Sequence, residues 1–203
     1  MTTRSPDRTR RRLVAAAFAA PLAGRFAHAQ PVYPAKPVLF ICPWPAGGTA
    51  DQTMRALCSA ASRALGWPIV VENRPGAAGM IGLKAIAAAA PDGHVIGQIP
   101  LSVTRFHQLG SVTVDPQKDL TYIARTSGQT FGIAVRADAP WKTLAEFVAQ
   151  AKAQPGKVTY SHSGIGGQTH VGMEEFAMAA GIQLNHIPFK GGADALTALL
   201  GAH

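Results

Sequence analysis

The sequence predicts an α/β fold built on parallel sheets. Short apolar runs typical of buried strands alternate with stretches whose apolar residues recur at helical spacing. The connections between them are short and rich in glycine and proline, and such β-α-β-α-β runs usually form parallel sheets covered by helices. The chain has 203 residues, of which 47% are hydrophobic and 15% charged, which is enough for one large domain or two small ones.

The first part of the body contains two strand-helix repeats and a third strand. The apolar run 38–42 predicts a strand, and the helical pattern that follows ends near Gly66. A second strand is predicted at 68–72 and a third at 94–99, with a helix of small residues at 81–90 between them.

The middle of the chain is less regular. Residues 102–119 show no clear period and are predicted to be irregular. Residues 122–135 read as one long extended segment, which is either a strand crossing between two lobes or two short strands around a turn. A helix with an apolar face is predicted after Pro140 and ends at Gln154.

The opening pattern then returns twice. Strands are predicted at 158–161 and 184–189, and the helices that follow them at 171–180 and 193–200. A glycine-rich turn separates each strand from its helix. Turns at the carboxyl ends of parallel strands gather on one edge of a sheet, where α/β proteins bind ligands. Two such turns on separate lobes would face each other across a cleft.

The turn after the first strand is the strongest candidate site. Its glycines allow close approach of the backbone, and the helix start that follows presents unpaired N–H groups suited to a carboxylate or phosphate. The alternative is an ordinary strand-to-helix loop. Thr49 serves either as a ligand contact or as a helix cap, and for Asp51 a structural role is favoured over a ligand contact. The candidates here are Trp44, Ala46, Gly47, Gly48, Thr49 and Asp51.

The later turns supply the second group of candidates. Backbone contacts are expected from the turn after residue 161, and Lys190 either provides charge for a second carboxylate or is simply solvated. Arg74 and His170 are interpreted as structural. The candidates are Ser163, Gly164, Gly166, Gln168, Thr169, Lys190 and Gly191, with Ser102 after the third strand.

Most of the positive charge lies in an N-terminal export signal. The formal net charge is +8, but six arginines precede residue 30, and the remainder carries only about three net positive charges. Without a basic stripe and interleaved aromatics, nucleic-acid binding is disfavoured. Residues 1–29 show a basic start, an apolar run and an A-x-A cleavage site ending at Ala29, so a periplasmic location is expected. Export is either by a twin-arginine or by an arginine-rich Sec signal.

No metal or cofactor is predicted. The two cysteines, Cys42 and Cys58, either form a disulfide or remain two separate buried thiols. The seven histidines form no ligand-spaced set along the sequence. A nucleotide-binding reading fails because the chain lacks G-x-x-x-x-G-K-[ST].

An exported serine hydrolase is the main alternative class. Ser161 and Ser163 lie near His162 and His170 in the sequence. Neither serine is flanked by the glycines of G-x-S-x-G, and no acid is placed to orient a histidine. The sequence therefore favours a binding protein over an enzyme.

The chain resembles the Bug, or TctC-like, extracytoplasmic solute receptors of tripartite tricarboxylate transporters. The resemblance covers residues 30–203, and it rests on the following motifs in family order: Y-P-A-K-P at 33–37, P-x-P-x-G-G-x-x-D at 43–51, V-E-N-R-P-G-A at 71–77, A-P-D-G at 90–93, P-G-K-V-T-Y at 155–160, G-I-G at 164–166 with His170, and P-F-K-G-G at 188–192.

This resemblance implies a two-lobed, periplasmic-binding-protein-like fold of type II, with a first lobe at 30–125 and a second at 126–203. It implies a small carboxylate ligand, held largely by backbone amides of the two glycine loops and by bridging waters. It also implies delivery of that ligand to membrane transporter subunits by a monomeric receptor.

The chain departs from the family pattern at three places. Trp44 and Ala46 replace residues that are commonly Phe and Pro, and Trp44 would narrow the pocket or stack on an aromatic acid. The segment 161–163 is more polar than expected. Family members also extend well past residue 203, so we expect a fold that is incomplete at the C-terminus, with a non-functional truncated remnant as the alternative.

Overall fold

A computed structural model describes residues 33–128 and 130–201 of the chain. Residues from Lys36 onward belong to one compact unit. The predicted export signal at 1–29, with its cleavage site at Ala29, lies outside the described residues. None of the described helices is long and apolar enough to span a bilayer.

Strands and helices follow one another in the predicted order. The strands are β1 Val38–Cys42, β2 Ile69–Asn73, β3 Val95–Gly97, β4 Thr159–His162 and β5 Asn185–Pro188. The helices are α1 Thr49–Leu65, α2 Met80–Ala87, α3 Ser102–Gln108, α4 Leu144–Ala153, α5 Gln168–Ala180 and α6 Gly192–Gly201, with a short 3₁₀ turn at Ala77–Gly79 before α2.

Both sheets are parallel, which confirms the predicted α/β class. The first sheet has the order β2-β1-β3, and Leu39 of β1 pairs with Val70 on one side and Val95 on the other. The second sheet pairs β4 with β5, with Tyr160 opposite His186. Helix α1 connects β1 to its parallel neighbour β2, and α5 connects β4 to its parallel neighbour β5, as expected for β-α-β units.

The central strand β1 is apolar throughout because both of its faces are covered. Phe40 packs with Met54 and Cys58 of α1. Ile41 is almost completely buried, as is Leu83 of α2, whose cluster includes residues of α2 and α3. Helix α1 ends at Gly66, which adopts the left-handed conformation (φ 68°) and returns its N–H to the Ser62 carbonyl.

A second core forms around α4, α5 and the start of β4. Its centre is Phe147, which meets the Trp141 ring edge-on at a centroid distance of 5.3 Å. Helix α4 begins with a full capping box, in which Thr143 and Glu146 each bond the other's backbone N–H. The buried members of this core are Phe147, Ala151, Val158, Ala177 and Ile182.

The prediction of irregular structure for 102–119 is wrong in its first part. Residues Ser102–Gln108 form α3, which buries Val103 and half-buries Phe106. The helix has only seven residues, and its N-cap, Leu101, has no side-chain acceptor. The sequence therefore carried neither a long period nor a cap signal.

The prediction of strand for 122–135 is also wrong among the described residues, which form no ladder there. The segment lacks a neighbouring strand with which to pair. Its apolar side chains consequently stay in solvent, with Ile123 80% and Phe131 54% exposed. Apolar content alone predicted a strand that the topology does not provide.

The two cysteines are free thiols, so of the two predicted alternatives the structure shows separate buried residues. Cys42 lies at the end of β1, and Cys58 lies within α1. Burial is the main cause that raises the pKa of both thiols above the ordinary value.

Candidate functional site

Three loops follow the carboxyl ends of strands, and two of them come into contact. We call Pro43–Gly48 the first loop, Ser163–Gly167 the second loop and Phe189–Gly191 the third loop. The first and third loops meet directly: a Cβ added at Gly48 would lie 3.3 Å from the Cβ of Ala193, and a Cβ added at Gly191 would overlap the ring of Pro45. Small residues are therefore required where these loops touch.

The second loop packs against the 3₁₀ turn and against α3. A Cβ added at Gly164 would lie 3.1 Å from the backbone nitrogen of Ala78, and one at Gly166 would lie 2.8 Å from the Phe106 ring. Arg105 of α3 donates to the Gly166 carbonyl at 2.6 Å. The second loop thus contacts elements that follow β2 and β3 of the first sheet.

An open cavity of about 790 Å³ lies between these elements. Its walls combine apolar side chains with two lysines and one aspartate; the lining residues are Ala77, Met80, Lys84, Phe106, Ser111, Val112, Gly164, Ile165, Pro188, Phe189, Lys190 and Asp194. Such a surface suits a small anion with a short carbon skeleton.

Only two of the sequence-predicted residues, Gly164 and Lys190, line this cavity. Ile165 of the second loop and Phe189 of the third loop also line it, although neither was a sequence candidate. The first loop lies beside the third loop and does not line the cavity, so Trp44 does not narrow it. The sequence also missed the apolar wall, including Met80, Phe106 and Phe189, because nothing distinguishes these residues from ordinary core positions.

Helices α1 and α5 begin in nearly the same way. Their N-caps, Gly48 and Gly167, have φ/ψ of −74°/166° and −70°/168°, and neither has a side-chain cap. By contrast, α4 has a side-chain cap, because Thr143 at its N-cap forms a capping box. The first-turn N–H groups of α1 and α5 are therefore not satisfied by an N-cap side chain, and an anion is their natural partner.

Asp51 holds the first loop in place by hydrogen bonds. Its buried carboxylate accepts from the backbone of Gly47 at 2.8 Å, from Arg55 at 3.0 Å and from Asn73 at 2.7 Å. Burial raises the pKa of Asp51, but the hydrogen bonds from Arg55, Asn73 and Gly47 outweigh it and hold this pKa below its ordinary value. These contacts support the structural role over a ligand contact. Asn73 also donates to the Trp44 carbonyl at 2.9 Å, which fixes the other end of the loop.

Thr49 and Ser102 occupy first helical positions. Thr49 is the exposed first residue of α1, and its carbonyl accepts from Thr53. The alternative that Thr49 caps α1 is wrong, because the cap is Gly48. Ser102 is the buried first residue of α3. Ala46 is exposed in the first loop.

Hydrogen bonds inside the second loop already engage several of its groups. The hydroxyl of Ser163 lies 2.8 Å from that of Thr169, which also accepts from the Ser163 backbone. The N–H of Gly164 donates to His162 Nδ1 at 3.2 Å, and that of Gly166 donates to His170 Nδ1 at 3.3 Å. The start of α5 at Gln168 is therefore a better anion donor than the glycine amides of the loop.

Three histidines lie together beneath the second loop. Nitrogens from the rings of His162, His170 and His186, one each, lie within 4.8 Å of one another. Spacing along the sequence did not reveal this grouping, because the three histidines come from different elements that only the fold brings together. Burial is the main cause that lowers the pKa of His162 and of His170, and the neighbouring histidines lower both further.

The two serines of the hydrolase alternative have partners other than histidine. Ser161 donates to the Ala195 carbonyl at 3.1 Å, and Ser163 pairs with Thr169. Neither contact is the serine-histidine hydrogen bond that activates a nucleophile.

Comparison with known proteins identifies the architecture. A family model described as "TctC: Tripartite tricarboxylate transporter family receptor" matches residues 53–203. A "UPF0065 protein in gbd 5'region" from Cupriavidus necator is 42% identical over 94% of this chain and 59% of its own length.

Two solved structures share the fold. The periplasmic binding protein BugD is 30% identical, with a TM-score of 0.68 over 84% of this chain and 57% of its own. MatC from Rhodopseudomonas palustris with bound malate is 25% identical, with a TM-score of 0.70 over 83% of this chain and 58% of its own. The chain thus spans a little over half the length of these relatives.

Proposed function

The chain belongs to the TctC family of tripartite tricarboxylate transporter receptors, and we propose that it binds a small carboxylate between the edges of its two sheets. In this proposal it works in the periplasm as a monomer and delivers its ligand to membrane transporter subunits. The sequence resemblance to Bug receptors is confirmed by the family match and by the fold shared with BugD.

The proposal rests on the similar N-termini of α1 and α5. Each helix of this pair follows a glycine-rich loop, and each has a glycine N-cap without a side-chain acceptor. A carboxylate oxygen would complete these first turns and lie at the positive end of the helix dipole. No dedicated arginine is needed in such a site, since backbone donors supply the hydrogen bonds.

The cavity is lined by residues of the second and third loops and not by the start of α1, and its charges favour a second carboxylate at that end of the ligand. Lys84 and Lys190 line it and only Asp194 opposes them. Exposed ammonium groups attract a second carboxylate weakly at physiological ionic strength, so they adjust selectivity more than affinity. MatC, which is structurally similar, binds malate, and malate is therefore a reasonable first probe.

Calorimetric titration with malate, citrate, aspartate, benzoate and malamide tests this assignment. We expect one acid to bind and its amide not to bind, because the amide lacks the charge that the helix starts recognise. Lys190→Met should weaken a dicarboxylate by about twofold to fivefold. Lys157→Met is the matched control, since Lys157 is an exposed lysine outside the cavity.

The hydrolase alternative predicts a different result. If the chain were an esterase, p-nitrophenyl esters would turn over and a Ser161→Ala/Ser163→Ala double variant would abolish the turnover. We expect no turnover above buffer, because the serine hydroxyls bond a carbonyl and a threonine.

A further inference from the structure

The histidines beneath the second loop come from three different elements. His162 ends β4, His186 lies in β5, and His170 lies in the first turn of α5. The parallel register pairs Tyr160 with His186 and His162 with Pro188. Alternate residues of a strand share a face, so His162 and Tyr160 point the same way, and the Tyr160 hydroxyl donates to Glu174 of α5.

The three rings form a compact triangle. Ring centroids are 4.5 Å apart for His162 and His170, 4.9 Å for His170 and His186, and 5.4 Å for His162 and His186. His162 Nε2 lies 3.2 Å from His186 Nδ1. His162 is buried, His170 half-buried and His186 exposed, so the triangle runs from the interior to the surface.

We propose that His162, His170 and His186 bind one divalent transition-metal ion of the zinc class. Three imidazoles with a fourth position open to water are a common zinc ligand set. Imidazole also suits nickel and copper, whereas magnesium and calcium prefer oxygen ligands. This metal site adjoins the second loop and the start of α5, but the proposal rests on the geometry of the three histidines and does not depend on carboxylate binding.

Side-chain movement alone can bring the ring nitrogens to zinc-ligand spacing. Zinc bonds of about 2.0–2.1 Å at tetrahedral angles place ligand nitrogens about 3.3–3.4 Å apart. The His162–His186 pair is already at 3.2 Å, and the widest pair must close by at most roughly 1.4 Å from 4.8 Å. His186 is exposed and therefore has room to rotate.

Nearby groups fit a cation. Glu174 follows His170 by one helical turn and acts electrostatically on both His162 and His170. The Nδ1 atoms of these two histidines accept from Gly164 and Gly166, which leaves their Nε2 atoms to face the metal. A ring that coordinates through Nε2 carries its proton on Nδ1, so metal binding would break these two hydrogen bonds and release two amides of the second loop.

Calorimetric titration of the untagged, metal-stripped chain with ZnSO₄ tests the proposal, with MgSO₄ as the ion control. We expect one zinc per chain, no magnesium binding, and an affinity at least about tenfold lower in His186→Asn and in His170→Gln. His107→Asn removes a histidine outside the triangle and should change the zinc affinity by less than about twofold.

Zinc binding can also be tested on the wild-type chain, so that the result does not depend on whether a variant folds. We expect zinc to shift the ring nitrogen signals of three histidines by NMR, and Co²⁺ to give the visible absorption of a four-coordinate site without the thiolate band that Cys42 or Cys58 would produce. The proposal is overturned if no stoichiometric zinc binds, if fewer than three histidine rings respond, or if His107→Asn reduces the affinity as much as His186→Asn.

Discussion

Gly48→Asp gives the sharpest test of anion binding at a helix start. Gly48 is the N-cap of α1 with φ/ψ of −74°/166°, a conformation open to any residue. An aspartate there would accept the first-turn N–H groups that we assign to the ligand. The substitution therefore fills the proposed donor site from within the chain.

The expected cost to folding is small. A cap acceptor and a negative charge at a helix start each contribute a few tenths to about 1 kcal/mol. The new Cβ would lie 3.3 Å from that of Ala193, which is slightly tighter than ordinary contact, and Asp51 adds repulsion. These effects nearly cancel, so we expect the melting temperature to move by no more than about 2–4 °C.

The expected cost to binding is much larger. A hydrogen bond to a charged group contributes about 1.5–3 kcal/mol, and like charges about 4 Å apart repel by about 1 kcal/mol in water. Together they amount to about 2.5–4 kcal/mol, or roughly 100- to 1,000-fold in the dissociation constant.

Titration calorimetry with the acid that binds the wild-type chain measures the effect. Gly48→Ala controls for the Cβ, and Thr143→Asp places the same charge at the cap of α4, away from the cavity. Both controls should bind within about threefold of the wild type. If folded Gly48→Asp bound within about threefold of Gly48→Ala, ligand recognition by the start of α1 would be refuted.

Two further expectations concern stability and are measured by thermal melts. Asp51→Asn should lose about 2–3 kcal/mol near neutral pH, because the new amide cannot accept from Gly47, Arg55 and Asn73 at once. The pKa of Asp51 in the folded chain lies below the ordinary value of 3.8. This stabilisation is therefore present above pH 3.8 and is lost as the pH falls through the folded pKa. If the melting temperatures of Asp51→Asn and the wild type still differed at lower pH, the proposed hydrogen-bond network would be contradicted. The helical glycines Gly172 and Gly82 should respond oppositely to alanine: Gly172→Ala gains about 0.5–1 kcal/mol because its Cβ makes an ordinary 3.7 Å contact, whereas Gly82→Ala destabilises because its Cβ would lie 2.8 Å from Pro43. Stabilisation by Gly82→Ala would contradict the close packing of α2 against Pro43, and destabilisation by Gly172→Ala would contradict the open contact with Phe131.

The strand-loop-helix repeats were predictable because their signals are local. The apolar run 38–42 predicts a buried strand, and the glycines that follow it predict a helix start a few residues later. Helix α3 and the unpaired segment 122–135 were not predictable in this way. The first is too short to show a period, and the second depends on whether another strand lies beside it.

The sequence predicted which loops contain the candidate site but not the contacts that these loops make. Sequence showed that glycine turns follow β1, β4 and β5, and parallel topology places the turns after β4 and β5 on one edge of their sheet. It did not show that the amides of Gly164 and Gly166 are held by histidines, or that His186 completes a triangle from β5. These facts depend on register and on the position of α5, which residue spacing does not encode.

The most direct test of carboxylate binding is a thermal melt of the chain with and without the panel of acids. An acid at about 100 times its dissociation constant adds about 2.7 kcal/mol, which corresponds to roughly 5–11 °C for a domain of this size. We expect a cooperative melt that one acid raises and its amide does not. A cooperative melt that no acid raises, or that acid and amide raise equally, would contradict the proposed carboxylate receptor.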